Sequence, residues 1–284
     1  MNQSMFIVWR ESVEALLVIG ILQAWASQQG QGNRLVNYLW AGVVLGLLLS
    51  GLLAVLILFA GEAMSGSASE WFQAALALFA SLLMVQMVGW MHRHGRTLNH
   101  DLRRHADSHL ARQGGAGLLL LAMLAISREG SETVVFLYGA GARLRGPQLG
   151  LFAVGGVLGL VLSALTMTLL HSSRRFISWQ RFFAISEVIL LMLGAGLLVS
   201  GTERIGGQLL ALEVPEVVYS LVGESLWNSS GLLSDSHGLG GFLAGLVGYR
   251  ATPSGMTLLV WFGYWLIVSA WLRQRAPEKV PCLN

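Results

Sequence analysis

The 284-residue chain contains one cysteine, Cys282, and one lysine, Lys279. A lone thiol excludes a disulfide framework and a thiolate metal site. A lone lysine close to the C-terminus excludes a retinal-type pump or photoreceptor, whose Schiff base needs a lysine inside a late helix. There is no H-E-x-x-H run and no glycine-rich phosphate loop, so a membrane-embedded hydrolase, the remotest reading, would have to work with paired carboxylates alone. Charge is scarce as well: 12% of the residues are charged and 54% are hydrophobic, the composition of a polytopic membrane protein. Met1–Ser4 hold no Lys or Arg, and charges interrupt the apolar run that follows. No cleavable signal peptide is expected, and the first helix stays.

A hydrocarbon core about 30 Å thick needs about 20 residues of helix. Seven stretches reach that length, near 5–28, 36–60, 70–91, 116–142, 148–171, 182–204 and 255–273. The expected fold is an all-α polytopic membrane protein with seven transmembrane helices, a single domain over residues 1–284. Residues 205–254 are too polar and glycine-rich to span and form an outer segment, in which Val217, Val218, Leu221 and Leu226 suggest an interfacial helix. Arginines crowd the connections after the first, third and fifth helices and the C-terminal tail, whereas only Arg143, Arg145, Arg204 and Arg250 face the other way. Cytoplasmic loops collect basic residues, so the N-terminus is expected outside and the C-terminus inside. The formal net charge of +3 then needs no nucleic acid to explain it. Glu62, Glu70, Glu203, Glu213, Glu216, Glu224 and Asp235 lie on the expected outer face, where acidic groups attract cations. Ordinary solvated loops account for Glu213, Glu216 and Glu224, while Glu62 and Glu70 flank a short turn and are candidates for an entry site.

Against this sparse background one charged pentapeptide occurs twice: Arg10-Glu11-Ser12-Val13-Glu14 in the first stretch and Arg128-Glu129-Gly130-Ser131-Glu132 in the fourth. Each charge at the centre of a membrane helix costs about 2.5 to 3.5 kcal/mol, so six would cost roughly 15 to 21 kcal/mol without compensation. Intramembrane ionisable groups of this kind mark function. At about 100° per residue, Glu11 and Glu14 lie about 60° apart on one helix face, with Arg10 about 40° from Glu14. Both carboxylates of a copy can therefore enter one cavity, and Arg10 and Arg128 can hold the second carboxylate ionised through an i to i+4 pair. Four carboxylates against two guanidinium groups suit a hard multivalent cation. The alternative is a pair of intramembrane Arg–Glu staples, which duplication disfavours.

The duplication extends beyond the motifs, which are offset by 118 residues. Gly42, Gly46 and Ser50 correspond to Gly155, Gly159 and Ser163 at an offset of 113, and Trp71-Phe72 to Phe182-Phe183 at 111. Two repeats of three helices follow, about 5–91 and 116–204. Three is odd, so the second must enter the membrane from the opposite face, and such inverted repeats in transporters meet at a substrate site near the midplane. The glycines read as a close-packing seam.

The paired R-E-x-x-E motifs on the first and fourth of seven helices resemble the high-affinity iron permeases, the oxidase-dependent iron transporters of fungi and their bacterial relatives. Leu226-Trp227-Asn228-Ser229-Ser230, Gly248-Tyr249 and Pro253-Ser254 resemble that family's last outer segment and seventh helix. The resemblance implies iron uptake across a cytoplasmic (inner) membrane, with Glu11, Glu14, Glu129 and Glu132 as the iron ligands and Arg10 and Arg128 supporting them. It also implies iron as cargo, no permanently bound cofactor, and an extracytoplasmic partner, a multicopper oxidase in fungi and periplasmic proteins in bacteria. One departure is Ser12, where the family often has Gly. Carboxylate sites discriminate poorly by sequence, so a transporter of lead or manganese is the competing reading.

Lesser candidates remain. Glu187 lies at membrane depth in the sixth stretch, as an exit-path ligand or the partner of a basic group. His92, His94, His100, His105 and His109 crowd the loop after the third stretch, either as a cytosolic metal-receiving patch or as a merely soluble basic loop. The tryptophans read as interfacial belts and packing.

Overall fold

Prolines and left-handed glycines stand at the ends of the long apolar runs rather than within them, and the runs fold as uninterrupted helices. Pro147 opens one helix, where its missing N–H is no loss, and Gly66, at φ 60°, makes the tight turn between two others. The computed structural model describes residues 2–29, 32–94, 115–142, 144, 146–172, 179–212, 215–235 and 238–274. Its helices are α1 (Asn2–Ser27), α2 (Gly32–Ala63), α3 (Ser67–His94), α4 (Gly115–Gly141), α5 (Pro147–Ser172), α6 (Trp179–Leu210), α7 (Glu216–Gly223), α8 (Gly238–Val247) and α9 (Gly255–Gln274). Among the described residues the only β pairing is an isolated bridge between Ser225 and Ser254.

Among the described residues, five helices have the length and apolar composition of a membrane span: α2, α3, α5, α6 and α9. α1 and α4, with 26 and 27 residues, are each about 40 Å long at a rise of 1.5 Å per residue, but each carries a charged pentapeptide. The most apolar spans are largely exposed, the reverse of what water-soluble proteins show. α2 and α5, the two most apolar spans, have only 22% of their span buried. Leu48, Leu52 and Val55 of α2, with Val157, Leu160 and Val161 of α5, point outward, as lipid-facing side chains do. α7 lies within the expected interfacial helix. α8 was not foreseen, because four glycines in ten residues lower its helix propensity. Tertiary contact overrides that cost: the carbonyl of Gly245 packs directly on Gly196 of α6, and Trp261 Nε1 of α9 donates to Val247 O at 2.8 Å.

The most extensive packing is α2 on α4, α1 on α5 and α3 on α6. Small residues make the first two seams. A Cβ at Gly46 of α2 would stand 2.9 Å from both Met123 O and Ile126 Cβ of α4, and a Cβ at Gly159 of α5 would stand 2.5 Å from Met5 O and 3.0 Å from Val8 Cβ of α1. Gly46 and Gly159 differ by 113 residues, while Met5 and Met123, like Val8 and Ile126, differ by 118. The two seams thus use corresponding residues of the two halves. α3 and α6 form the central pair, and α9 rests on both: Tyr264 Oη donates to Leu191 O at 2.7 Å, and the Trp271 ring covers Gly89. A core of Ile7, Val13, Met84, Met87, Phe136 and Leu190 fills the space between α1, α3, α4 and α6.

Corresponding seams should respond alike to overpacking. Gly46→Val and Gly159→Val are each expected to cost about 1–3 kcal/mol, the usual penalty for inserting bulk into a filled interface. Thermal unfolding of the detergent-purified variants measures this, and a large loss at one position with none at the other would show that the seams are not equivalent.

Candidate metal centre

Helical spacing brings each motif's charges onto one face, and the helix seams then turn those faces toward each other. On α1, Arg10 is fully enclosed at 0% exposure. Its guanidinium divides between two carboxylates, Nη1 to Glu11 Oε1 at 2.6 Å and Nη2 to Glu14 Oε1 at 2.6 Å. Nη2 also donates to Met91 Sδ of α3 at 3.4 Å. On α4, Arg128 Nε pairs with Glu132 Oε1 at 3.0 Å, and Nη2 donates to Met87 Sδ at 3.3 Å. The Arg128 guanidinium lies 4.9 Å from the centre of the Trp90 ring, within cation–π range. Its side chain is 43% exposed, so the two motifs share their chemistry but not their enclosure.

Glu11, Glu14 and Glu129 are all buried, and each offers an oxygen within 4.8 Å of the other two. Two like charges about 4 Å apart repel by about 4 kcal/mol at an effective dielectric of about 20, so gathering three is unfavourable without a cation among them. Arg10 supplies one positive charge. Glu11 Oε2, Glu129 Oε2 and Glu132 Oε2 are buried and accept no hydrogen bond. Buried carboxylate oxygens are ordinarily satisfied, so these three are exceptions. Glu132 stands outside the 4.8 Å set, held against Arg128.

The difference between Ser12 and Gly130 has a local cause. A Cβ at Gly130 would run into Ser50 Oγ of α2, which donates to Gly46 O at 3.0 Å and Ser127 O at 3.4 Å. The corresponding Ser163 Oγ of α5 turns instead to Leu160 O at 2.7 Å. The first copy therefore has room for a side chain at its third position, and the second does not.

The three entry or exit candidates lie outside the gathered carboxylates. Glu62 is exposed in the last turn of α2. Glu70, in the first turn of α3, pairs through Oε2 with Arg204 Nη1 of α6 at 2.8 Å. Glu187 is half-buried on α6. The side chains of His92 and His94 and all of His100, His105 and His109 lie outside the described residues, as do most of the loop arginines. Sequence reasoning missed Met87, Met91 and Trp90, which read as ordinary core in an apolar run. It also missed a chamber of about 850 Å³ lined by Gln3, Ser200, Glu203, Arg204, Asp235 and Arg250, among others. There Arg250 Nε pairs with Glu203, Arg250 Nη2 donates to Ser200 Oγ at 3.1 Å, and the Gln3 amide donates to Gly245 O. Gln3 stands two helical turns before Glu11 on α1, about 12 Å along the axis.

The sequence model of the Iron permease FTR1 family matches residues 1–274. The chain belongs to that family. Among curated proteins, it is similar to the ferrous iron permease EfeU of Escherichia coli O6:H1 (strain CFT073), 26% identical over 261 residues, covering 91% of this chain and 90% of that protein. It is likewise 26% identical to the ferrous iron permease EfeU of Yersinia pestis over 91% of this chain and 88% of that protein. No solved structure matches. For this FTR1-family protein, membership carries iron transport and a multi-pass membrane setting, which the apolar spans fit.

Enclosure separates the arginines energetically. Arg10→Gln leaves two buried carboxylates without their counter-charge and is expected to cost about 3–5 kcal/mol, whereas Arg128→Gln, on a half-open side chain, should cost clearly less. Denaturant unfolding of both variants measures the difference, and equal losses would refute it. Independently, Gly130→Ser should destabilise the α2–α4 seam while Ser12→Gly changes thermal stability little; the reverse order would remove the steric account of the third motif position.

Proposed function

We propose that this protein imports iron as Fe(II) across the cytoplasmic (inner) membrane, through a mid-membrane site made by Glu11, Glu14, Glu129 and Glu132 with Arg10 and Arg128 in support. The observation that carries the proposal is the convergence of three buried carboxylates within 4.8 Å on two helices. Three carboxylates and the Arg10 guanidinium leave two negative charges, which a divalent cation neutralises. Oxygen ligands suit such a cation, and the unpaired carboxylate oxygens require no hydrogen bond to be broken before they bind it. The choice of Fe(II) follows the ferrous iron permeases to which the chain is similar.

On this reading α1 and α4 are spans, giving seven in one transmembrane domain, with the N-terminus outside and the C-terminus inside. Residues 5–91 and 116–204 are inverted repeats. The packing of α1 on α5, α2 on α4 and α3 on α6 supports this, because exchanging the repeats maps that set of pairs onto itself. Alternating access follows as one repeat moves against the other around the site. The chamber beside Gln3 is the outer approach, with Glu62 and Glu70 at the mouth and Glu187 on the way out. Iron is cargo, and no resident cofactor is needed. An extracytoplasmic iron-binding protein presents the metal as Fe(II), and Leu226, Trp227, Leu232 and Leu239, exposed in the outer segment, give it an apolar surface to meet; a partner oxidase would instead deliver Fe(III) and change the species carried. The competing cargo is another divalent cation such as lead or manganese, since the same oxygens would accept it.

The test is radiolabelled iron uptake into vesicles containing only this protein, supplied with ferrous or ferric iron and with lead or manganese as competitors. Saturable Fe(II) uptake is expected, and flux of manganese or lead without iron would replace the assignment. Glu14→Gln and Glu132→Gln should each nearly abolish uptake, and the double variant should add little, because groups of one site are not additive. Two modest losses that multiply would mean two separate sites.

A further inference from the structure

The carboxylates account for the binding of a divalent cation but not for a preference among divalent cations, because oxygen ligands serve magnesium, calcium and manganese as well as iron. The same cluster contains two atoms of a different character. Met91 Sδ and Met87 Sδ, one turn apart on α3 and buried, each face a motif arginine, at 3.4 Å from Arg10 Nη2 and 3.3 Å from Arg128 Nη2. Arg10 Nη2 is the atom that also holds Glu14 Oε1 at 2.6 Å. Carboxylate oxygen, through an ion pair, and thioether sulfur, through a hydrogen bond, therefore meet at one guanidinium nitrogen and stand within a side chain's swing of each other. A thioether is a weak hydrogen-bond acceptor and a soft, polarisable donor to metals. A guanidinium has no lone pair to offer a cation, so its departure releases both groups together.

Building on the iron-import reading, we propose that Met91 and Met87 are the soft members of the cation site and set its preference for iron over hard divalent cations. A cation that displaces the Arg10 guanidinium from Glu14 frees the Met91 sulfur in the same step, and displacement of the Arg128 guanidinium, which holds Glu132 through Nε and Met87 through Nη2, frees the Met87 sulfur. Both methionines lie on α3, the helix that packs against α4, so both sulfurs enter the site from one side. A borderline cation such as Fe(II) gains from sulfur, and magnesium or calcium does not.

The test is X-ray absorption at the iron edge on the full-length protein, purified in detergent, loaded anaerobically with Fe(II), and carrying Cys282→Ser so that no thiol remains. Sulfur scattering beside oxygen is expected, reduced in Met91→Leu and lost in the Met87→Leu/Met91→Leu double variant. Leucine keeps the volume, so each single variant stands in if the double one fails to fold. In vesicles, the variants should lose more Fe(II) uptake than manganese uptake, so that the preference for Fe(II) over manganese falls roughly tenfold, the scale on which groups around a metal's ligands act. Bound iron with oxygen neighbours only, or an unchanged preference in the Leu variants, overturns this inference and leaves iron import standing. A wild-type protein that binds no iron overturns both.

Discussion

Everything in the centre of this protein depends on one enclosed guanidinium. Arg10 sits with no exposed surface and divides its terminal nitrogens between Glu11 and Glu14. Uncompensated, three charges at the centre of a membrane helix would cost about 7.5 to 10.5 kcal/mol on insertion scales. Pairing reduces that cost and also fixes geometry, since a planar fork bridging two carboxylates on adjacent turns holds both toward α4, where Glu129 completes the group. Lysine could supply the charge but not the fork. The constraint reaches outward from there: the seam of α1 on α5 and that of α2 on α4 are tight enough to exclude a Cβ, and so they set the distance at which the two motif helices face each other.

Lipid as solvent explains why the seams are glycine and the outer faces leucine and valine. Apolar contact between helices gains little when the surrounding hydrocarbon is equally apolar, so association rests on close backbone approach and on polar contacts. Gly42, Gly46 and Gly159 provide the approach, and Trp9 Nε1 to Thr166 Oγ1 at 2.9 Å joins α1 to α5 through a polar contact. The charged cluster is the extreme case of the same rule, because its partners are found within the bundle.

Much of this was legible in the sequence wherever the relevant contact is local or repeated. The Arg10–Glu14 and Arg128–Glu132 pairs are i to i+4, so helical spacing alone brings them together. The seams could be read because Gly46 and Gly159 occur at one offset, and repetition distinguishes a packing glycine from an incidental one. Contacts made across the fold left no such trace. Glu70 and Arg204 are 134 residues apart, and nothing near either one names the other. Met87 and Met91 occupy core positions in an apolar helix, so composition gives no hint that their sulfurs face charge. α8 contradicts its own propensity, being held as a helix by α6 and α9. The Gly130 requirement became visible only once Ser50 was seen to fill the space above it.

The two motifs also differ in the helices that cover them. Corresponding seams join the halves, yet α3 packs on α4 whereas α6 makes slight contact at most with α1. α6 is otherwise engaged: α8 lies on it at Gly196, α9 bonds to it through Tyr264, and Arg250 ties the segment between them to Glu203 and Ser200. α6 thus packs on the residues that follow it rather than over α1 as α3 packs over α4, and both arginines find their sulfur partners on α3. Two halves built on one plan would give two conformations of equal energy related by symmetry. On the proposed alternating-access reading, a carrier facing unlike solutions needs the pair to be unequal, and the contacts of α6 with α8 and α9 supply that inequality.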